Sequence, residues 1–505
     1  MRRIAKCLIV TALAIAVSQG QAQTPNSLDS SRDEFYWLGE LNKAATVMVV
    51  EREIVTRELG RRIAQAVSRI IAEGSVPGTK RPGVLDYLEV EKRLVAIAGP
   101  DATRLHSGRS RQDLLATTNR LILRDHLLEL DERLADVRAR LVSISAKNVS
   151  TIIPAYTNGV QAQPTTLAHY LLAFEAAFSR DDERLRQAYA RVNLSPLGSA
   201  ALGTSSFPVD RPRLADLMGF DGVVENSYDA NLVAAMDVPL EAVNLVEGTA
   251  LTVGAMAEDI VVQYRNPEPW IQLQEGTLTG PSSIMPQKRN PYALGLLRQA
   301  ASKVVGDATS FVLEAHNVAP GMLDYKTGQA DATIEDASRM LLQLAALLDG
   351  LVVDPARALA EVNADYSTTT ELANVLQRES GVPFRIGYHF ASDLVTFGRA
   401  HRLKPAEIPY HEAQRIYVAA AKTYGSSRAS LPMSEQRFRQ LLTAENMIQS
   451  SRGMGGPQPE EVTRMLTVAR ARLASDSVWA ANQRARLLAA SSKLEQTFEA
   501  IRQAH

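Results

Sequence analysis

Apolar residues recur at helical spacing along almost the whole chain, and one run is long enough to dictate an architecture. Leu123, Leu127, Leu130, Leu134, Val137, Leu141 and Ile144 follow alternating steps of four and three, the heptad pattern that draws one continuous apolar stripe down a helix. A helix with such a stripe must lie lengthwise against other helices. Spacing alone leaves open whether those partners belong to the same chain or to another copy. Arg124, Asp131, Glu132, Arg138 and Arg140 fall off the stripe. Further helical stretches begin at Pro164, near Val238, after Asn290 and near Ala330; a proline suits a first helical turn, where its missing N–H costs no bond. The mixed run Asp181, Asp182, Glu183, Arg184 and Arg186 reads as a solvated helix face. Strand-like alternation is scarce, so the expected class is all-α.

Composition narrows the function. With 46% hydrophobic residues and 55 basic against 56 acidic side chains, the chain is neither a disordered segment nor a nucleic-acid binder. A single cysteine excludes a disulfide scaffold. The 505 residues suffice for several domains. Arg2, Arg3 and Lys6 precede an apolar run of 11 residues over 7–17, followed by Gly20 and Ala22. The run is too short to span a membrane and has the layout of a secretory signal over residues 1–22. The expected location is therefore outside the cytoplasm, in the periplasm. Cleavage there would also remove Cys7, leaving no thiol in an oxidising compartment.

Three stretches between the helical runs are loop-like: 193–212, 265–269 and 272–291. The last is long for a helix connection, which points to a task of its own. Its residues 280–291 read Gly-Pro-Ser-Ser-Ile-Met-Pro-Gln-Lys-Arg-Asn-Pro. The prolines and glycine set turns, while Ser282, Ser283, Lys288 and Asn290 supply hydroxyls, a charge and an amide suited to a small anion. Composition alone would favour a rigid surface crossover with incidental serines.

The order of those residues decides between the two. Ser282 to Pro291 resembles the S-S-x-M-P-x-K-x-N-P signature of the fumarase/aspartase superfamily at all seven fixed positions. His106-Ser107-Gly108-Arg109-Ser110-Arg111-Gln112-Asp113 resembles the H-T-G-R-S-R-N-D segment of argininosuccinate lyases, and Pro154-Ala155-Tyr156-Thr157-Asn158 through Gln163-Pro164 resembles their P-G-Y-T-H…Q-P segment. Similar likenesses over 193–201, 209–211 and 381–385 extend the resemblance across roughly residues 35 to 470.

This resemblance to the argininosuccinate lyase family implies a three-domain, homotetrameric fold with a central bundle of long helices, whose active sites each draw on three chains. The corresponding divisions are 23–112, 113–364 and 365–505. It implies elimination of an amine from an N-substituted aspartate to release fumarate, without cofactor or metal. Ser282 would act as general base, with Lys288 and Asn290 holding the carboxylate that gains charge. Ser110, Arg111, Gln112 and Thr157 would bind the succinyl carboxylates, and Asn158, Gln163, Ser283, Lys326 and Gln329 would complete the substrate contacts. The chain departs from the family at paired positions: Asn158 and Gly295 stand where a histidine and its supporting glutamate are expected, and neither can protonate a leaving group. Asp324 and Ala332 replace a tyrosine and a lysine on the amine side. The succinyl half of the pocket is thus kept and the amine half altered. A non-catalytic protein on the same scaffold, or another chemistry of the superfamily, is the competing expectation. No metal constellation, nucleotide loop or dinucleotide fingerprint is evident, and neither nucleic acid nor, after cleavage, a membrane is an expected partner.

Overall fold

A computed structural model describes residues 32–322 and 330–504. The expected leader over 1–22, with Cys7, and the candidate contacts Asp324, Lys326 and Gln329 lie outside the described residues. In chain order the helices are α1 (Glu34–Glu51), α2 (Arg57–Gly74), α3 (Tyr87–Ala98), α4 (Arg111–Lys147), α5 (Leu167–Val192), α6 (Arg211–Leu217), α7 (Ala234–Gln263), α8 (Tyr292–Ala315), α9 (Ala330–Asp349), α10 (Pro355–Ala364), α11 (Thr370–Ser380), α12 (Phe384–Ala400), α13 (Tyr410–Thr423), α14 (Glu435–Leu441), α15 (Ala444–Ser450) and α16 (Pro459–Gln503). Four two-stranded pairs interrupt them: β1 (Ile152–Thr157) with β2 (Val160–Thr166), β3 (Leu194–Ser195) with β4 (Gly222–Val223), β5 (Ile271–Leu273) with β8 (Leu351–Val353), and β6 (Gly280–Pro281) with β7 (Arg289–Asn290).

The heptad stripe lies inside the bundle. Leu127, Leu130, Leu134, Val137 and Leu141 are fully buried among α5, α7, α8 and α9. At about 1.5 Å per residue, the 37-residue α4 is ~55 Å long and sets the length of the molecule's middle. A second core joins α1, α2, α3 and α6. A third gathers Leu376, Phe390, Tyr417 and Phe438 from α11 to α14.

Three expectations change. Pro164 does not start a helix; it pairs with Pro154 in the hairpin, and α5 begins at Leu167 behind the N-cap Thr166, whose Oγ1 accepts the His169 N–H. Asp181 and Asp182 do not face solvent; they are 3% and 2% exposed. The third concerns the end of the chain, grouped above with the third domain. Helix α16 leaves that domain and runs back along the bundle to the first core. Its Val462, Leu466 and Ala469 pack on Val142, Ala168 and Leu172, Trp479 meets Tyr189 edge-on at 5.3 Å, and Leu494 and Phe498 join the N-terminal core.

Helix α16 also supplies partners for two of the charges off the stripe, Arg138 and Glu132. Arg124, Asp131 and Arg138 recur every seven residues and are buried as a second, polar seam. The Arg138 guanidinium donates to Glu175 at 3.0 Å, Asp182 at 2.8 Å and Asp476 of α16 at 2.6 Å.

Candidate active site

The first segment is the start of α4. Ser110 is its N-cap: its Oγ accepts the Gln112 N–H at 3.3 Å, and its own N–H donates to Asp113 at 2.8 Å. Asp113 is fully buried and its other oxygen accepts the Gly198 N–H at 2.9 Å, so it ties the 193–201 loop to the helix start. Burial pushes its carboxyl up to about 6, against the pull of these N–H donors and of Arg109. Arg111 is exposed, touching Leu85 O at 3.5 Å, while Gln112 is half-buried with its Oε1 lacking a partner. A serine three residues before an aspartate, at the head of an apolar run, was the available signal for this clamp.

The second segment is the β1–β2 hairpin. Asn158 and Gly159 form its two-residue turn at φ of 53° and 78°, the geometry for which Asn-Gly is the favoured pair. Thr157, Asn158 and Gln163 are exposed. Sequence reasoning missed what anchors this hairpin. The Tyr156 hydroxyl donates to Glu361 of α10, and Gln161 Nε2 donates to Val362 O at 3.2 Å and Ser367 Oγ at 3.0 Å. Burial and then Glu361 raise the Tyr156 phenol well above its ordinary value.

The third segment is the serine loop. Pairing of Gly280 with Asn290 and Pro281 with Arg289 makes it a short hairpin whose tip holds Ser282 to Lys288. Ser282 Oγ accepts N–H bonds from Met285 at 3.1 Å and Ile284 at 3.4 Å. Asn290 Nδ2 donates to Gly280 O at 3.3 Å, and Ser283 and Lys288 are exposed. The apolar side chain of Ile284 is 84% exposed beside them.

Neither His106 nor His169, the histidines nearest these segments in sequence, is placed to replace the missing acid. His169 uses both ring nitrogens structurally, on Thr165 Oγ1 at 2.7 Å and Gly455 O at 2.9 Å. His106 stacks on Tyr87 at 4.7 Å, and burial, then Arg109, lower it to about 4, so it is neutral near pH 7. Gly295 is exposed on the second turn of α8. Among the described residues no group of three or more His, Cys, Asp or Glu side chains could hold a metal ion.

The three segments do not meet within one chain. Gln112 shares a cavity with Ala234 at the start of α7, Phe311 near the end of α8 and Ala330 at the start of α9. The opposite end of the bundle carries the hairpin, which flanks Asp259 and Gln263 at the end of α7. There too Asp349, at the end of α9, meets Arg140 of α4 at 2.9 Å. Since the serine loop immediately precedes α8, whose far end reaches Phe311, about 30 Å of helix separates Asn290 from the Gln112 cavity.

Comparisons with known proteins bear on the family and the fold. Residues 42–306 match a family described as lyase, and residues 366–449 match the argininosuccinate lyase C-terminal family. The chain is 32% identical over 438 residues to the argininosuccinate lyase of Methanosarcina barkeri, covering 84% of each chain. It is 35% identical over 398 residues to that of Methanoculleus marisnigri, covering 77% of each. Among solved structures, an EDDS lyase in complex with formate superposes with a TM-score of 0.86 at 27% identity, over 93% of this chain and 92% of that one. A class II fumarase from Schistosoma mansoni, at 15% identity and a TM-score of 0.63 over 82% of this chain and 90% of that one, shares the fold.

Proposed function

The chain belongs to the argininosuccinate lyase family within the fumarase/aspartase superfamily, and from that premise we propose that it eliminates an amine from an N-substituted aspartate to release fumarate. Argininosuccinate and an aminopolycarboxylate such as ethylenediamine disuccinate are the candidate substrates. As a member of this family it is a carbon–nitrogen lyase.

The observation that carries the reading is the environment of Ser282. Removing a proton beside a carboxylate loads a second negative charge onto that carboxylate, so electrostatic stabilisation must dominate. A serine hydroxyl is a poor base unless its alkoxide is stabilised. Here the amides of Ile284 and Met285 already point at Oγ, and Lys288 stands on the same loop. Ser282 takes the proton, while Lys288 and Asn290 hold the carboxylate that gains charge. Ser110, Arg111, Gln112 and Thr157 bind the succinyl carboxylates, with Arg111 able to grip one in a bidentate manner. With no acid at Asn158 or Gly295, a leaving nitrogen that is already cationic departs without one.

Because the three segments sit at two ends of the bundle, a complete site needs more than one chain. A homotetramer is the assembly proposed. Leu251 of α7, Leu296 and Leu313 of α8 and Leu342 of α9 are exposed in a single chain and offer the apolar surface for it. The proposed location is the periplasm, a reading that rests on the basic head and short apolar run of residues 1–22. Incubating the purified protein with a panel of N-substituted aspartates and following fumarate by its ultraviolet absorbance tests the reaction. Absence of fumarate from every member, with folded oligomer present, would overturn it.

A further inference from the structure

Helix α4 turns Gln112, Leu115, Ala116, Asn119, Arg120 and Leu123 toward a cavity of about 200 Å³, bordered also by Met236 and Pro239 of α7, Phe311 of α8 and Ala330 of α9. The walls are mainly apolar, yet a cation stands among them. Arg120 is 5% exposed. Its Nη1 donates to the Arg191 carbonyl at 2.6 Å and the Val192 carbonyl at 3.3 Å, at the end of α5. Among the described residues no carboxylate lies within ion-pair distance of it; Asp237 and Asp229 act on it from farther away. Burial lowers its pKa only to about 10, so the group is charged at neutral pH. A buried charge without its counterpart is costly, and an anion delivered by a ligand removes that cost. Two carboxylates do border the cavity, Glu34 and Asp331, but both are exposed, and Glu34 accepts the Val84 N–H at 3.2 Å. The unpartnered Gln112 Oε1 belongs to the same lining. Gln112 and Arg120 are eight residues apart, about 12 Å along the helix axis.

We propose that this cavity receives the leaving-amine half of the substrate and selects an aliphatic ω-amino carboxylate: its carboxylate on Arg120, its chain against Leu115, Ala116, Met236 and Phe311, and its cationic nitrogen beside Gln112 and the exposed Glu34 and Asp331. The inference rests on the fumarate-releasing reaction proposed above and adds the class of amine. In the addition direction the amine lone pair forms a C–N bond to one alkene carbon of fumarate, the other carbon takes a proton, and the nitrogen loses one.

The test compares 6-aminohexanoate with hexylamine, which has the same chain and no carboxylate, as partners for fumarate. The carboxylate is expected to raise kcat/KM at least about tenfold, the difference one charge-assisted hydrogen bond supplies. Arg120→Met should bring the ratio to near one. Since that change also releases the end of α5, Ala235→Leu provides a second variant that fills the cavity and leaves the Arg120 bonds in place; it should lower the rate with 6-aminohexanoate more than that with ammonia. Equal rates for the two amines in the unaltered protein, or a preference that survives both variants, would overturn the inference. Should no amine add to fumarate, the reaction itself fails, and calorimetric titration of 6-aminohexanoate then decides the subsite alone: heat lost in both variants supports it, and no heat with the unaltered protein overturns it.

Discussion

Ser282 is the residue on which the chemistry turns, and its neighbours show why the loop can present it. Ser282→Ala removes the base but not the hairpin, so kcat should fall about 10²–10⁴-fold with little change in melting temperature. Gly280, at the foot of the loop, lies against Tyr292 so closely that a Cβ there would stand 2.0 Å from a ring carbon. Gly280→Ala should therefore push the loop off α8, costing about 1–3 kcal/mol and much of the activity, read by thermal melting and fumarate release. Asp113 adds a pH dependence. Its folded pKa of about 6 lies above the ordinary 3.8, so the folded state holds the proton more tightly. Its contribution to stability is then greatest below pH ~4 and is lost as pH rises through ~6. Asp113→Asn should flatten that part of the melting-temperature profile while weakening the bonds from Ser110 and Gly198.

Between elements, the decisive contact is the docking of α16 on α4 and α5. Arg138 binds three carboxylates there, and Arg186 also serves Asp182 and Asp476. Asp131 is the carboxyl in this group without an arginine; it faces Asp182 and keeps a proton, with its pKa raised to about 8 chiefly by burial. Because the folded value is raised, stability falls as pH climbs from about 4 through 8. Asp131→Asn needs no proton and should melt higher than the unaltered protein at pH 9, with a flatter profile between pH 6 and 9. Arg138→Met leaves buried carboxylates uncompensated and should cost about 3–5 kcal/mol, with hydrogen exchange rising first along α16.

For the whole molecule, the separation of Ser110–Gln112 from the serine loop makes catalysis a property of the assembly. Mixing Ser282→Ala with Arg111→Ala chains, each inactive alone, should restore activity at about a quarter of the sites, because random assortment brings an intact serine loop to an intact α4 start at that frequency. No recovery after the subunits have exchanged would mean that one chain completes its own site. Leu313→Glu on α8 should shift the protein toward smaller species in light scattering and remove activity with them.

Local order along the chain was enough to specify the helical class, the heptad stripe of α4 and the serine loop. A stripe depends only on residue spacing, and Ser282 to Pro291 is a contiguous string. The hairpin of Tyr156 to Gln163 was legible in part: its residues were found, but Asn158-Gly159 was not read as a turn and Pro164 was given to a helix. What spacing cannot state is which distant element covers a helix face. Asp181 and Asp182 read as part of a solvated helix face, and Arg124, Asp131 and Arg138 only as charges off the stripe, until helix packing buries all five, and Glu361 holds the hairpin from some 200 residues away in the chain. Placement of the three site segments at two ends of one bundle is likewise a matter of tertiary structure alone. Burial and distance arise between chain segments that sequence neighbourhood does not connect.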